Sequence, residues 1–181
     1  TAETKSISSF GQVDYKLPTG TTLTAGIRAN KEKIGVRFVD LRTTATANSC
    51  ATGNPLCSGT NSDTVVTWKG SVAQELAKDV MAYASVARGY KGLAYDITSG
   101  FNPARINAAL AGTGPGLTGV GPVNSESSTS HELGLKRRFL DNKVQLNVVG
   151  YLTNYNNFQA QSAVFINGAP QFVLNNVGKL R

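Results

Sequence analysis

Short and long connections alternate along this chain, and that alternation restricts its fold more than any other feature. Compact turns fall at Pro18 to Gly20, Ala77 to Asp79 and Leu140 to Asn142. Long polar excursions run from about Asp40 to Asp63 and from about Lys91 to Ser128, with a shorter one near Asn167 to Pro170. Strand-like segments lie between them. Turns sorted by length in this way give an antiparallel sheet one tidy end and one elaborate end, the connectivity of a transmembrane β-barrel.

The strands are read from residues that repeat every second position. The first covers about Ser6 to Leu17 and the second about Thr21 to Asn30, where Leu23, Ala25, Ile27 and Ala29 share one side. The third and fourth are placed at about Thr64 to Leu76 and Val80 to Tyr90. Here a helix over Ser71 to Val86 competes, because Val72, Leu76 and Val80 recur every four residues among good helix formers. The fifth strand, about Ser130 to Phe139, separates Glu132, Lys136 and Arg138 from Leu133, Leu135 and Phe139. The sixth, about Lys143 to Gln159, sets Val144, Leu146, Val148, Gly150 and Leu152 against Gln145, Asn147, Tyr151, Thr153 and Tyr155. A seventh begins near Gln171.

No apolar run reaches the roughly 18 to 20 residues of a membrane helix, although a membrane strand shows an apolar side chain only at alternate positions. With 181 residues, 40% of them hydrophobic, the chain is neither disordered nor too short for one domain. The net charge of +7 comes from scattered basic residues. It suits anionic lipid, lipopolysaccharide or an acidic ligand, and there is neither a basic helix nor a nucleic-acid motif. No signal peptide is visible in Thr1 to Phe10.

Catalytic chemistry finds no support. His131 is the only histidine, so a histidine-rich zinc site cannot be assembled, and beside Glu132 it reads as a polar residue of a solvated wall. Gly112 to Gly121 is a loop with Pro115 and Pro122 nearby, not a phosphate-binding turn between strand and helix. Cys50 and Cys57 enclose a turn-rich hexapeptide, and a disulfide between them is expected, with free thiols or a weak metal contact as the alternative. Asn102 and Pro103 suit the start of a short helix reaching Leu110 within the second long loop.

Several runs together resemble the barrel of TonB-dependent outer-membrane receptors. They are Ser9-Phe10-Gly11-Gln12-Val13-Asp14-Tyr15, Leu23-Thr24-Ala25-Gly26-Ile27-Arg28 and Tyr83 through Lys91, then Glu126, Glu132 through Lys136, Leu146 through Tyr151, Tyr155, Phe158, Gln159, and Asn175 through Lys179. The resemblance implies an all-β fold: about seven antiparallel strands belonging to a larger barrel of about 22, with long extracellular loops. On this reading residues 1–181 form part of a barrel domain in the bacterial outer membrane. They contain no candidate for the plug domain, and the remaining strands come from the same polypeptide or from other chains. The family imports scarce ligands such as ferric siderophores with energy from the TonB complex, so neither an enzymatic reaction nor a bound cofactor is implied.

Ligand contacts are expected from Arg88, Tyr90, Lys91, Tyr95 and Arg105, with Tyr155 and Phe158 across the next hairpin. A metal chelate is the kind of small ligand such cationic and aromatic groups suit. Two other functions remain open: a small barrel acting as porin, adhesin or structural protein, and a soluble β-sandwich binding module.

Overall fold

A computed structural model describes residues 1–37, 58–96, 122–166 and 169–181. Among the described residues ten strands are present: β1 (Ala2–Lys16), β2 (Thr21–Arg37), β3 (Ser58–Ala77), β4 (Val80–Lys91), β5 (Ala94–Tyr95), β6 (Pro122–Val123), β7 (Glu126–Phe139), β8 (Val144–Asn156), β9 (Gln159–Ile166) and β10 (Ala169–Asn176). Six of them form one antiparallel sheet in the order β1-β2-β3-β4-β7-β8, while β9 pairs with β10 and β5 with β6 in two small sheets. The sheet is open among the described residues, with β1 and β8 at its edges.

The short connections lie where they are expected, and all three join strands of the main sheet at the same end. Gly20 at φ 79° and Asp79 at φ 64° reverse the chain through left-handed backbone, and Leu140, Asp141 and Asn142 do so consecutively. The competing helix over Ser71 to Val86 is not formed: those residues belong to β3, a turn and β4, paired from Trp68–Arg88 to Ala77–Val80 with one bulge after Glu75.

The strands run further toward the long-loop end than alternation indicated. β2 continues to Arg37 and β3 already begins at Ser58, because Asn30 to Arg37 pair residue by residue with Ser58 to Val65. Two corrections concern the last strands. The sixth strand stops at Asn156, and Asn157 takes φ 54°, so Gln159 starts a separate strand instead of extending β8. The expected seventh strand is β10, which pairs with β9 and not with the main sheet. The chain forms a further backbone bridge to the sheet at Leu180, whose N–H and carbonyl exchange hydrogen bonds of 3.1 and 2.7 Å with Tyr155. Cys50, Cys57, Arg105 and the proposed helix from Asn102 to Leu110 lie outside the described residues.

Register turns the alternating pattern of each strand into two continuous faces. Val13 lies opposite Ala25, Ala25 opposite Gly70, Gly70 opposite Val86, Val86 opposite His131, and His131 opposite Leu152. Around this row the same face carries Tyr15, Leu23, Ile27, Val66, Trp68, Val72, Leu133, Leu135, Val144, Leu146 and Val148. These side chains are uncovered: Val13 is 68% exposed, Leu133 68% and Val148 56%. His131 thus stands on the apolar face at its outer margin, not in a polar wall. The opposite face bears Gln12, Asp14, Thr24, Arg28, Lys69, Ser71, Ser85, Glu132, Lys136, Gln145 and Asn147.

An exposed apolar face crossing six strands is far more than a water-soluble surface tolerates, whereas hydrocarbon accepts it provided backbone groups are paired along the ladders. Tyr15 near one margin and Trp68 near the other stand where interfacial aromatics belong. Arginine replacing Val148 is expected to cost roughly 2–4 kcal/mol when the complete barrel refolds in lipid vesicles. Arginine at Asn147 meets Lys136 across the ladder and is expected to cost at most about 1 kcal/mol. Paired urea titrations of the two variants check this, and equal penalties contradict the face assignment.

Candidate functional site: the outer cap and the polar wall

The buried core of the described chain lies at the long-loop end, not in the middle of the sheet. Val36, Leu93, Tyr95, Val123 and Val173 are buried there together with Asp96, Glu126 and Gln159. Ile34, Val36 and Asp63 share the polar face with Arg28 and Lys69, so this cap lies on the polar side of the outer ends of β2 and β3. The Ser125 hydroxyl bonded to Asp63 fastens it to β3.

Gln159 is the center of the cap. Its backbone N–H donates to Glu126 Oε2 at 2.8 Å. Its side-chain Nε2 donates to the carbonyls of Gly92 at 2.8 Å and Asn124 at 2.9 Å. One residue therefore connects the end of β4, the segment between β6 and β7, and the start of β9. Asn176 adds a second tie: its Oδ1 accepts from the Asn124 N–H at 2.8 Å, and its Nδ2 donates to the carbonyls of Asn124 and Asn157. Asp96 Oδ2 accepts from the Leu174 N–H at 2.9 Å, joining the β5 segment to β10. Buried amide and carboxylate groups are retained at such a position only when hydrogen-bonded, and these are.

The expected ligand residues divide by position. The Tyr90 hydroxyl accepts a hydrogen bond from Asn30 Nδ2, and Lys91 is exposed opposite Glu126, so both adjoin the cap. Tyr95 is only 6% exposed and packs over Gly59, where a Cβ would come within 2.9 Å of its ring. It is a packing residue in this arrangement, and burial raises the pKa of its phenol. Tyr155 and Phe158 meet edge to face at the hinge between β8 and β9, with centroids 5.7 Å apart. Arg88 is set apart: it pairs with Trp68 and Thr129, on the same side as the apolar face.

Sequence reasoning did not identify the polar wall as a site. Arg28 lies opposite Phe10 and donates to Ser8 Oγ at 3.0 Å. Tyr83 lies over Gly134, where a Cβ would fall 2.2 Å from the ring; its hydroxyl bonds Glu132 and Lys136 Nζ stands 5.2 Å from the ring centroid. Toward the tight turns, Glu75, Lys78, Lys136, Arg138 and Gln145 line an open cleft of about 630 Å³. Of these, Lys136 and Arg138 are visible as a polar face in the sequence, but the cross-strand partners that assemble a wall are not. Among the described residues no cluster of three or more His, Cys, Asp or Glu side chains is arranged to hold a metal.

Comparison with known proteins agrees with this architecture. The family model described as TonB dependent receptor-like, beta-barrel, matches residues 1–181. The chain belongs to that family. It is therefore a member of a receptor family, not of an enzyme family. No curated protein matches the chain. Among solved structures, the ferric yersiniabactin uptake receptor of Yersinia pestis superposes with a TM-score of 0.67 at 20% identity, over 98% of this chain and 22% of that one. A copper transporter gives 0.66 at 19% identity, over 97% and 25%. The hemophore receptor of Serratia marcescens, solved with its hemophore and heme, gives 0.58 at 16% identity, over 97% and 30%. At these identities the likeness concerns the fold, and the chain spans less than a third of each receptor.

Replacing Gln159 with leucine removes the donor shared by two carbonyls, and a buried polar group left without its partner costs roughly 1–3 kcal/mol. Amide exchange is expected to accelerate in β5, β6, β9 and β10 while the β1–β2 ladder keeps its protection. Unchanged exchange throughout contradicts a cap held by this residue.

Proposed function

We propose that this chain forms part of the barrel wall and the outer mouth of a TonB-dependent receptor in the bacterial outer membrane, importing a scarce ligand of the ferric-siderophore type. The observation that carries the reading is the position of the cap. It lies at the long-loop end and on the polar side of the sheet, where a solute entering along the polar wall would first meet the protein. The apolar side supplies the lipid contact.

Within this reading Tyr90, Lys91, Tyr155 and Phe158 border the entrance, and Arg105, outside the described residues, is a further candidate from the sequence. Arg88 stands at the outer margin of the wall, and Tyr95 contributes by holding the cap in shape. Cationic and aromatic groups together suit an anionic chelate with aromatic donors. The plug, the remaining strands and the TonB complex belong to the whole receptor. A barrel for passive diffusion shares the wall but has no need of an energy supply, so energy dependence separates the two.

The test is uptake of an iron-55 catecholate chelate by cells whose only outer-membrane receptor is the full-length protein. Accumulation is expected to require TonB and a proton gradient. Alanine at Lys91, Tyr155 and Phe158 together is expected to weaken chelate binding by at least about tenfold, since contacts of this kind contribute on the order of 0.5–1 kcal/mol each. Uptake that persists without TonB and is indifferent to the triple substitution contradicts the proposal.

A further inference from the structure

Beyond the apolar band, the outward side of β1 and β2 becomes basic. Lys31 and Lys33 follow Ala29 on the same face, roughly 7 and 14 Å farther along β2 at about 3.4 Å per residue. Lys5 of β1 lies directly opposite Lys33, and Arg37 continues the row. Like charges facing each other across a ladder are unfavorable unless something opposes them.

Little in the described protein does so. Glu3 is 2.9 Å from Lys5 and, among the described residues of β1, β2 and β3, is the one carboxylate on this side. On the other flank β3 presents Ser62 opposite Lys33 and Thr64 opposite Lys31, both neutral. Glu32 lies between the two lysines in sequence but points to the opposite face, where its carboxylate stands against Gly92. Asp63 is on that opposite face too, engaged with Ser125. The lysines are exposed. A paired charge in this register would have cost nothing in packing, yet the row is left unbalanced at the level where a membrane surface begins.

We propose that Lys5, Lys31 and Lys33 form a docking surface for the phosphates of an outer-leaflet lipid head group. The inference rests on the outer-membrane reading above and adds the residues and the partner chemistry. Three ammonium groups clustered on two adjacent strands beyond a lipid-facing band match a lipid carrying more than one phosphate, whose acyl chains then lie against Ile27 and Trp68. Arg37, at the outer end of β2, extends the positive field without being required for the contact.

The test uses the purified full-length receptor in detergent and native mass spectrometry with bis-phosphorylated lipid A as probe. Replacing Lys5, Lys31 and Lys33 with glutamine is expected to weaken lipid A binding by at least about tenfold, while replacing them with arginine preserves it. Dephosphorylated lipid A is expected to bind the native and glutamine proteins alike, and equimolar inorganic phosphate is expected not to displace lipid A. Heat-modifiable gel mobility reports folding of each variant; if the triple glutamine protein fails to fold, Lys33→Gln alone is expected to weaken binding measurably. Equal lipid A binding by folded native and glutamine proteins overturns the proposal, and displacement by inorganic phosphate overturns the lipid as its source. A fluorophore at Val13→Cys, read with brominated lipid in vesicles, separates the two levels of the argument. Quenching with unchanged lipid A binding defeats only the lysine surface, whereas absent quenching defeats the outer-membrane reading itself.

Discussion

Everything in this structure depends on the antiparallel ladder that runs β1-β2-β3-β4-β7-β8, with a single bulge after Glu75. In hydrocarbon an unpaired amide or carbonyl costs several kcal/mol, so strands can cross a membrane only where each backbone group has a neighbor. Pairing of that kind fixes register, and register decides which side chains share a side. The apolar band exists because Val13, Ala25, Gly70, Val86 and Leu152 fall on one row, although no single strand is hydrophobic throughout. The ladder therefore does two jobs, satisfying the backbone and sorting the side chains between lipid and a polar interior.

The cap obeys the opposite economy. Its strands are short, its apolar residues few, and Gln159, Asn176, Glu126 and Asp96 hold it through side-chain to backbone hydrogen bonds. Such a unit is stabilized by directed contacts more than by buried area, so loss of one donor is felt across several segments. That suits the ligand entrance proposed for it, which must keep its shape in water. Tyr155 and Phe158 at its hinge, with left-handed Asn157 between them, and Gly178 at φ 99° on the returning chain mark where the small sheet turns away from the wall.

Much of the wall was legible from alternation alone. Val144 to Leu152 and Leu23 to Ala29 announce their faces, and Pro18, Gly20 and Asn142 announce the turns. Alternation failed at the outer ends of β2 and β3: Lys31 to Arg37 fall outside the second strand as read and Ser58 to Asp63 fall inside the first long excursion, but both are strand because each supplies the other's hydrogen-bond partners. It failed again at Asn157, where a left-handed residue ends β8 inside what reads as one long strand. The cap was least legible, since Gln159 and Asn124 are ordinary polar residues until distant segments bring their carbonyl partners within reach. Arg88 shows the same limit from the other direction. Its position beside Trp68 follows from register, not from its own neighbors in sequence.

The central claim is that the two faces of this sheet meet different solvents. Nitroxide labels placed singly from Val144 to Thr153 in the full-length receptor, reconstituted in vesicles, test it through their accessibility to oxygen and to a water-soluble nickel chelate. The account predicts a two-residue period, with oxygen collisions highest at positions 144, 146, 148, 150 and 152 and nickel collisions highest at the positions between them. Accessibilities that show no period, or that place nickel at Leu146 and Val148, would contradict it.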